Sequence, residues 1–242
     1  MRRKNIFIIM PAYNAADYIE KVMDRIPALI WEQINQLVFV NDGSTDNTFK
    51  LIKKLQKKYQ KIKVIHKKTN QGYSQAQKTA YDYCLNNNAE VVAMLHSDGQ
   101  YAPELLPKLL KPLINGKADI VQGSRIKGGK ALQGKMPLYK YISNRFLSKL
   151  ENFVFGMNLY EYHSGYMLYT KNALDTIPYK KLSDTFHIDG EMLFMGHKKG
   201  LRIKEIPIPT DYSGQKSSLK PVQYGIHVIK IMVNYKLGKY NF

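Results

Sequence analysis

The sequence predicts an α/β protein with a mostly parallel central sheet and helices on both faces. Three observations lead there. Short apolar, β-rich runs alternate with helix-period segments from Asn5 to Ile114, the pattern of βαβ units. A cluster of polar, turn-forming residues follows each of the first four runs, where the strands of such a sheet end. The 44% hydrophobic content and 18 tyrosines describe a globular chain, and 242 residues suffice for a large core.

Taken in order, strands are expected at Asn5–Met10, Gln36–Asn41, Ile62–His66, Glu90–Leu95 and Asp119–Gln122. Helices are expected at Ala16–Ile26, Asp46–Tyr59, Ser74–Leu85 and Pro103–Ile114, the last opened by a proline at a position helices favour. Beyond Gln122 the pattern loosens. Gly123-Ser124-Arg125 ends a strand with a guanidinium suited to phosphate, and the glycine- and lysine-rich Ile126–Met136 reads as a mobile loop. Pro137–Phe155 spaces Tyr141, Phe146, Leu150 and Phe153 as a surface-lying amphipathic helix. Glu161–Tyr166 leads into a strand at Met167–Tyr169, Phe186–Glu191 opens a helix running to about Lys199, and Arg202–Ile208 is a further strand. Tyr224–Tyr240 sets Ile226, Ile229, Met232, Val233 and Leu237 among Lys230, Lys236 and Lys239. That spacing suits a helix lying on an anionic membrane surface, and equally one packed on its own sheet or in a homodimer.

Charge and cysteine narrow the class. The formal net charge is +18, and the basic residues are grouped: Arg125–Lys149 holds seven and no acid. Such surface attracts phosphorylated ligands, anionic lipid or nucleic acid, but no nucleic-acid-binding motif accompanies it, so nucleic acid is not expected as a partner. The single Cys84 precludes an internal disulfide framework and fits a reducing compartment. No signal peptide or membrane span is read, so the expected location is the cytoplasm, at most peripheral to the inner face of a membrane.

The turns carry the chemistry. After Val91-Val92-Ala93-Met94 comes Leu95-His96-Ser97-Asp98-Gly99-Gln100, which presents a carboxylate and an amide oxygen at a strand end. Oxygen ligands there suit Mg²⁺ or Mn²⁺ carrying a diphosphate. Asp42-Gly43-Ser44 offers a carboxylate for the N–H groups of a base, with Ser44, Thr45 or Asp46 capping the next helix, and Tyr13 can stack on the base. Asn70 and Gly72 could line the pocket floor. The turns Pro11–Asn14, Asp42–Asp46, Thr69–Tyr73 and His96–Gln100 would share one edge and one crevice. No phosphate-binding glycine loop of the dehydrogenase or NTPase kind is present.

These motifs, in this order, resemble the family 2 glycosyltransferases of GT-A fold, especially the dolichyl- and polyprenyl-phosphate sugar synthase branch. Pro11-Ala12-Tyr13-Asn14, Val40-Asn41-Asp42-Gly43-Ser44, Asn70-Gln71-Gly72, Gly123-Ser124-Arg125 and Ser164-Gly165-Tyr166 each match a family motif. Ile206–Thr210 and Ser217–Lys220 resemble its closing segment, and the match covers roughly residues 5 to 225. The departures are Asn41 for Asp, Ala15 for Glu, Met167 for Arg, and His96 for the first carboxylate of the metal motif.

The resemblance implies one glycosyltransferase domain over 1–242. Residues 1–123 form the nucleotide-sugar half, 124–225 the acceptor-facing half and 226–242 a carboxyl-terminal amphipathic helix. It assigns Pro11, Tyr13, Asn14, Val40 and Asp42 to the nucleotide sugar. Asn70, Gly72, His96, Ser97 and Asp98 join them, with Asp98 and Gln100 holding Mg²⁺ or Mn²⁺. The implied reaction is inverting transfer, of the hexosyltransferase class, from a UDP- or GDP-linked sugar to a polyprenyl phosphate or a cell-envelope glycan. Arg125 adds charge at the leaving group, and Asp189 takes a proton from a hydroxyl acceptor. Asp189 and Glu191 lie about 200° apart around a helix, so only one should face the site. Glu161 and His163 are weaker candidates, read as structural. The alternative is a non-catalytic nucleotide-sugar-binding partner subunit, prompted by His96, and a nucleotidyltransferase is a more distant one.

Overall fold

The computed structural model describes residues 3–129, 131–209 and 221–242. Thr210 and Ser217–Lys220 of the closing motif lie outside the described residues. Seven strands form one sheet: β1 (Ile6–Ala12), β2 (Gln36–Asp42), β3 (Ile62–Lys67), β4 (Val91–Met94), β5 (Ile120–Ser124), β6 (Met167–Thr170) and β7 (Ile203–Pro207). Their order is β3-β2-β1-β4-β6-β5-β7, parallel except for β6, which runs antiparallel between β4 and β5. The sheet therefore joins strands from both halves of the chain.

Nine α-helices are described: α1 (Ala16–Asp24), α2 (Ala28–Gln33), α3 (Thr48–Lys58), α4 (Tyr73–Asn86), α5 (Leu106–Ile114), α6 (Leu138–Phe155), α7 (Lys171–Thr176), α8 (Ile188–Lys198) and α9 (Pro221–Lys236). One apolar core joins α1, α3 and α5 to one face of the sheet through Ile19, Val22, Ile52 and Leu109. A second joins α4, α8 and α9 to the other face through Tyr81, Phe194, Ile231 and Tyr169. Burial on both faces explains why strand residues such as Ile8 and Ile9 are both fully buried.

Several local expectations shift. The segment after Ala102 opens as a short 3₁₀ turn at Pro103–Leu105 before α5 begins. The carboxyl-terminal helix starts at Pro221 and ends at Lys236. Ile126–Met136, read as a mobile loop, closes on a small core of Ile126, Ala131 and Met136 beside Tyr141.

The helices α6 and α9 pack against each other, and both are unusual in what they expose. The buried residues of α6 are Asn144, Ser148, Glu151 and Phe155, while Leu138, Tyr139, Ile142, Phe146 and Phe153 are exposed. This reverses the polarity of a helix that faces water. On α9, Val228, Ile231 and Met232 are buried, whereas Val222, Ile226, Ile229, Val233 and Leu237 form an exposed stripe. Met232 thus leaves the stripe and joins the core. The remaining residues keep the spacing of one helix face.

Candidate active site

The four polar turns converge at the carboxyl ends of β1 to β4, and hydrogen bonds lock them together. The Asn14 N–H donates to Ser44 Oγ at 3.0 Å, and Asn14 Oδ1 accepts the Thr45 N–H at 2.9 Å. Buried Asp42 accepts the backbone N–H groups of Gln71 at 3.1 Å and Gly72 at 2.8 Å, with the Lys67 ammonium 3.6 Å away. Gly43 has φ +67°, and a Cβ there would stand 2.4 Å from the Thr69 carbonyl carbon. Only glycine lets the second and third turns approach this closely. Ser97 Oγ donates to the Pro11 carbonyl at 2.9 Å. None of the three capping candidates is the N-cap of α3, which is Asn47; Asp46, just before it, accepts the Thr48 N–H at 2.9 Å and the Ala16 N–H at 3.2 Å.

These turns wall a crevice of about 820 Å³ lined by Pro11, Tyr13, Asn14, Asp42, Asn70 and Gly72, and by His96, Ser97, Asp98 and Gln100. Val40 is the exception among the expected donor-site residues: its side chain is fully buried in the sheet core and does not line the crevice. Asp98 Oδ1 accepts the Gln100 N–H at 3.0 Å, a turn that keeps both residues on the crevice wall. Their all-oxygen donor set fits Mg²⁺ or Mn²⁺.

His96 lines the crevice, as expected of a residue near the nucleotide or ribose, but one ring nitrogen is engaged within the protein. Its Nε2 lies 3.0 Å from the Gly165 carbonyl and 3.1 Å from Tyr73 Oη. A carbonyl only accepts, so Nε2 carries a proton and is committed to the protein. A Cβ on Gly165 would stand 2.6 Å from that nitrogen, so the contact needs glycine. Tyr73 in turn donates to Asp189 Oδ2 at 2.8 Å, and Gln77 Nε2 donates to Asp189 Oδ1 at 3.2 Å. Tyr81 donates to Gln77 Oε1 at 3.0 Å, which fixes that amide's orientation. Burial pushes the Asp189 carboxyl up to about 6, with the His96 imidazole and the Tyr73 and Gln77 hydrogen bonds opposing the rise. Asp189 lines the crevice, whereas Glu191 turns away to accept the Ser183 N–H at 3.0 Å and the Tyr240 hydroxyl. One carboxylate faces the site, as the helical spacing requires.

Arg125, at the end of β5, forms the opposite wall. Its backbone N–H bonds Glu161, and its guanidinium donates to Glu161 Oε2 at 2.9 Å and the His163 carbonyl at 2.5 Å. Glu161 is fully buried. Burial would raise its pKa, but the Arg125 charge and hydrogen bonds, with one from Asn144, hold it below the ordinary carboxylate range. Glu161 orients Arg125, in keeping with its structural reading. Beyond Arg125 the crevice wall belongs to Tyr139, Lys140 and Ser143 of α6 and to Pro221 and Tyr224 of α9. A smaller cleft of about 330 Å³ beside Arg145, Asn152 and Tyr160 contains none of these groups.

The sequence reading missed Tyr73, Gln77, Glu151, His187 and Tyr224. A signal existed for the first two: Tyr73, Gln77 and Tyr81 recur every four residues, a column of polar groups down the sheet-facing side of α4. No comparable local signal marks the others.

Comparison with known proteins fits this geometry. Over 252 aligned residues the chain is 29% identical to UDP-N-acetylglucosamine–dolichyl-phosphate N-acetylglucosaminyltransferase of Methanococcus voltae, covering 99% of each chain. It is 26% identical to polyprenol monophosphomannose synthase of Mycolicibacterium smegmatis, covering 83% of this chain and 75% of that one. In fold it is similar to glucosyl-3-phosphoglycerate synthase from Mycobacterium tuberculosis, crystallised with Mn²⁺, UDP and phosphoglyceric acid. That match has a TM-score of 0.66 and 16% identity over 98% of this chain and 78% of that one. The family model for glycosyl transferase family 2 matches residues 7–177. With the GT-A architecture and the ordered turns, this establishes that the chain belongs to glycosyl transferase family 2.

Proposed function

We propose that the chain transfers a sugar from a UDP- or GDP-linked donor to a polyprenyl phosphate, with inversion, at a membrane surface. One observation carries the choice of acceptor. The helices that wall the crevice beyond Arg125 are the same α6 and α9 that turn apolar stripes outward. A lipid resting against Phe146, Phe153, Ile229 and Val233 would present its phosphate at the crevice mouth. Lys140, Arg145, Lys149 and Lys230 stand beside the stripes, where cations favour anionic lipid. Among the described residues no helix is long and apolar enough to cross a membrane.

In this reading the nucleotide sits over the interlocked turns, with Tyr13 on the base and Asp42 at its N–H groups. Asp98 and Gln100 would hold Mg²⁺ or Mn²⁺, which supplies positive charge where the diphosphate departs. The acceptor phosphate oxygen forms a bond to the anomeric carbon as the bond from that carbon to the diphosphate breaks. In-line attack inverts the centre, and the nucleoside diphosphate leaves with the electron pair. A phosphate monoester is largely ionised near neutral pH, so Asp189 has only to accept a residual proton and to orient the acceptor. Arg125, fixed by Glu161 and lining the crevice, would add positive charge at the departing diphosphate.

A panel of UDP- and GDP-sugars incubated with a short-chain polyprenyl phosphate and Mn²⁺ tests this. The expected result is one donor giving polyprenyl-phosphate sugar, with Asp98→Ala abolishing both transfer and metal-dependent nucleotide binding while the melting temperature holds. Transfer only to soluble glycans would reject the acceptor, and full turnover in Asp98→Ala would reject the metal site.

A further inference from the structure

We propose that Glu151, His163 and His187 form a second metal site, suited to Zn²⁺, that clamps α6 to the start of α8. Its ligands are not those of the Asp98–Gln100 turn, although His163 lines the same crevice, and it does not rest on the glycosyl-transfer reading.

The three side chains are each at least nine-tenths buried. His163 Nε2 lies 3.2 Å from Glu151 Oε2, and His187 Nε2 lies 3.0 Å from Glu151 Oε1. Both contacts are at ion-pair distance, but by strict alignment none of the four atoms has a hydrogen-bond partner. Buried groups left so are costly. The candidate ligand atoms fall within 4.8 Å of one another. Two imidazoles and a carboxylate are a donor set that Zn²⁺ takes, with water completing the coordination.

The far side of the two rings points the same way. His163 Nδ1 is 2.8 Å and His187 Nδ1 2.9 Å from the single hydroxyl of Tyr224 on α9. Without an ion, two neutral rings that face the carboxylate through Nε2–H leave both Nδ1 atoms as acceptors, and the single Tyr224 hydrogen satisfies one of them. Closing the network then takes a second hydrogen on one ring, which makes that ring a cation paired with Glu151 in the metal's place. With a cation at the Nε2 lone pairs, both Nδ1 atoms carry hydrogen and both donate to the Tyr224 oxygen, which has two lone pairs. Every polar atom is then satisfied with neutral rings, and Tyr224 is the outer partner that orients metal-binding histidines. The ligands come from α6, from the segment before β6 and from the residue preceding α8, two positions ahead of Asp189.

The test is metal content and Co²⁺ spectroscopy on the untagged full chain, loaded by dialysis and then washed in metal-free buffer. One equivalent of Zn²⁺ is expected, with intense visible bands on Co²⁺ substitution, retained in Asp98→Ala. His187→Gln and Glu151→Gln should lose it, and Tyr224→Phe should bind roughly 10- to 100-fold more weakly. Should the variants at the fully buried His187 and Glu151 not fold, His163→Asn at the partly open edge of the cluster gives the same answer, since Zn²⁺ should raise the melting temperature of the wild type but not of that variant. Substoichiometric metal in the wild type, or unchanged affinity in His163→Asn, would overturn the proposal.

Discussion

Asp189 is held by two hydrogen bonds from α4, one from Tyr73 and one from Gln77, and Tyr73 also meets His96. Tyr73 is therefore a positioning residue: its ring packs between His96 and Phe186, while its hydroxyl aims the carboxylate. Tyr73→Phe preserves the packing and removes one hydrogen bond to a charged group, worth about 1.5–3 kcal/mol. If that bond matters in the transition state, kcat falls roughly ten- to hundredfold. The donor KM should stay nearly constant, because nothing that binds the nucleotide has moved. Steady-state kinetics check this, and a change confined to KM would assign Tyr73 to donor binding. Because the acceptor phosphate is already ionised, Asp189→Asn should lower kcat only about tenfold in the same steady-state assay, and a loss beyond about a hundredfold would point instead to a hydroxyl acceptor that needs a base.

Among elements, the turns between β2 and α3 and between β3 and α4 are coupled through Gly43 and Asp42. Gly43→Ala forces a side chain into a left-handed conformation and against the Thr69 backbone, at a cost of about 1–3 kcal/mol. Urea unfolding should show that loss, and nucleotide titration should show weaker binding; an unchanged variant would mean the two turns move apart freely. These turns were legible from sequence because each follows an apolar run directly, so neighbours in the chain are neighbours in space. The placement of Asp98 and Gln100 on the crevice wall was legible for that reason. The antiparallel insertion of β6 was not, since a strand of four residues carries no sign of which partners it will choose. The six-residue α2 and α7 are too short for a periodic signal. The Arg125–Glu161 pair and the Glu151–His163–His187 cluster are assembled only by tertiary packing across α6, which composition and spacing do not record. The contacts that His96 Nε2 makes with Tyr73 and Gly165 were not legible, because those partners come from two other elements.

For the molecule as a whole, a charge of +18 and two outward apolar stripes act together. The charge draws the protein to an anionic surface over about a Debye length, and the stripes hold it there once in contact. The account's central claim is that α6 and α9 bring the crevice to a lipid-borne phosphate. The direct measurement is the rate of transfer to a long-chain polyprenyl phosphate embedded in anionic vesicles. It is compared between the wild type and a variant with Phe153→Ser, Ile229→Ser and Val233→Ser, with a water-soluble short-chain polyprenyl phosphate as control. The account predicts that the variant loses most vesicle transfer while retaining the soluble reaction and its melting temperature. Equal rates on vesicles for the two proteins would contradict it.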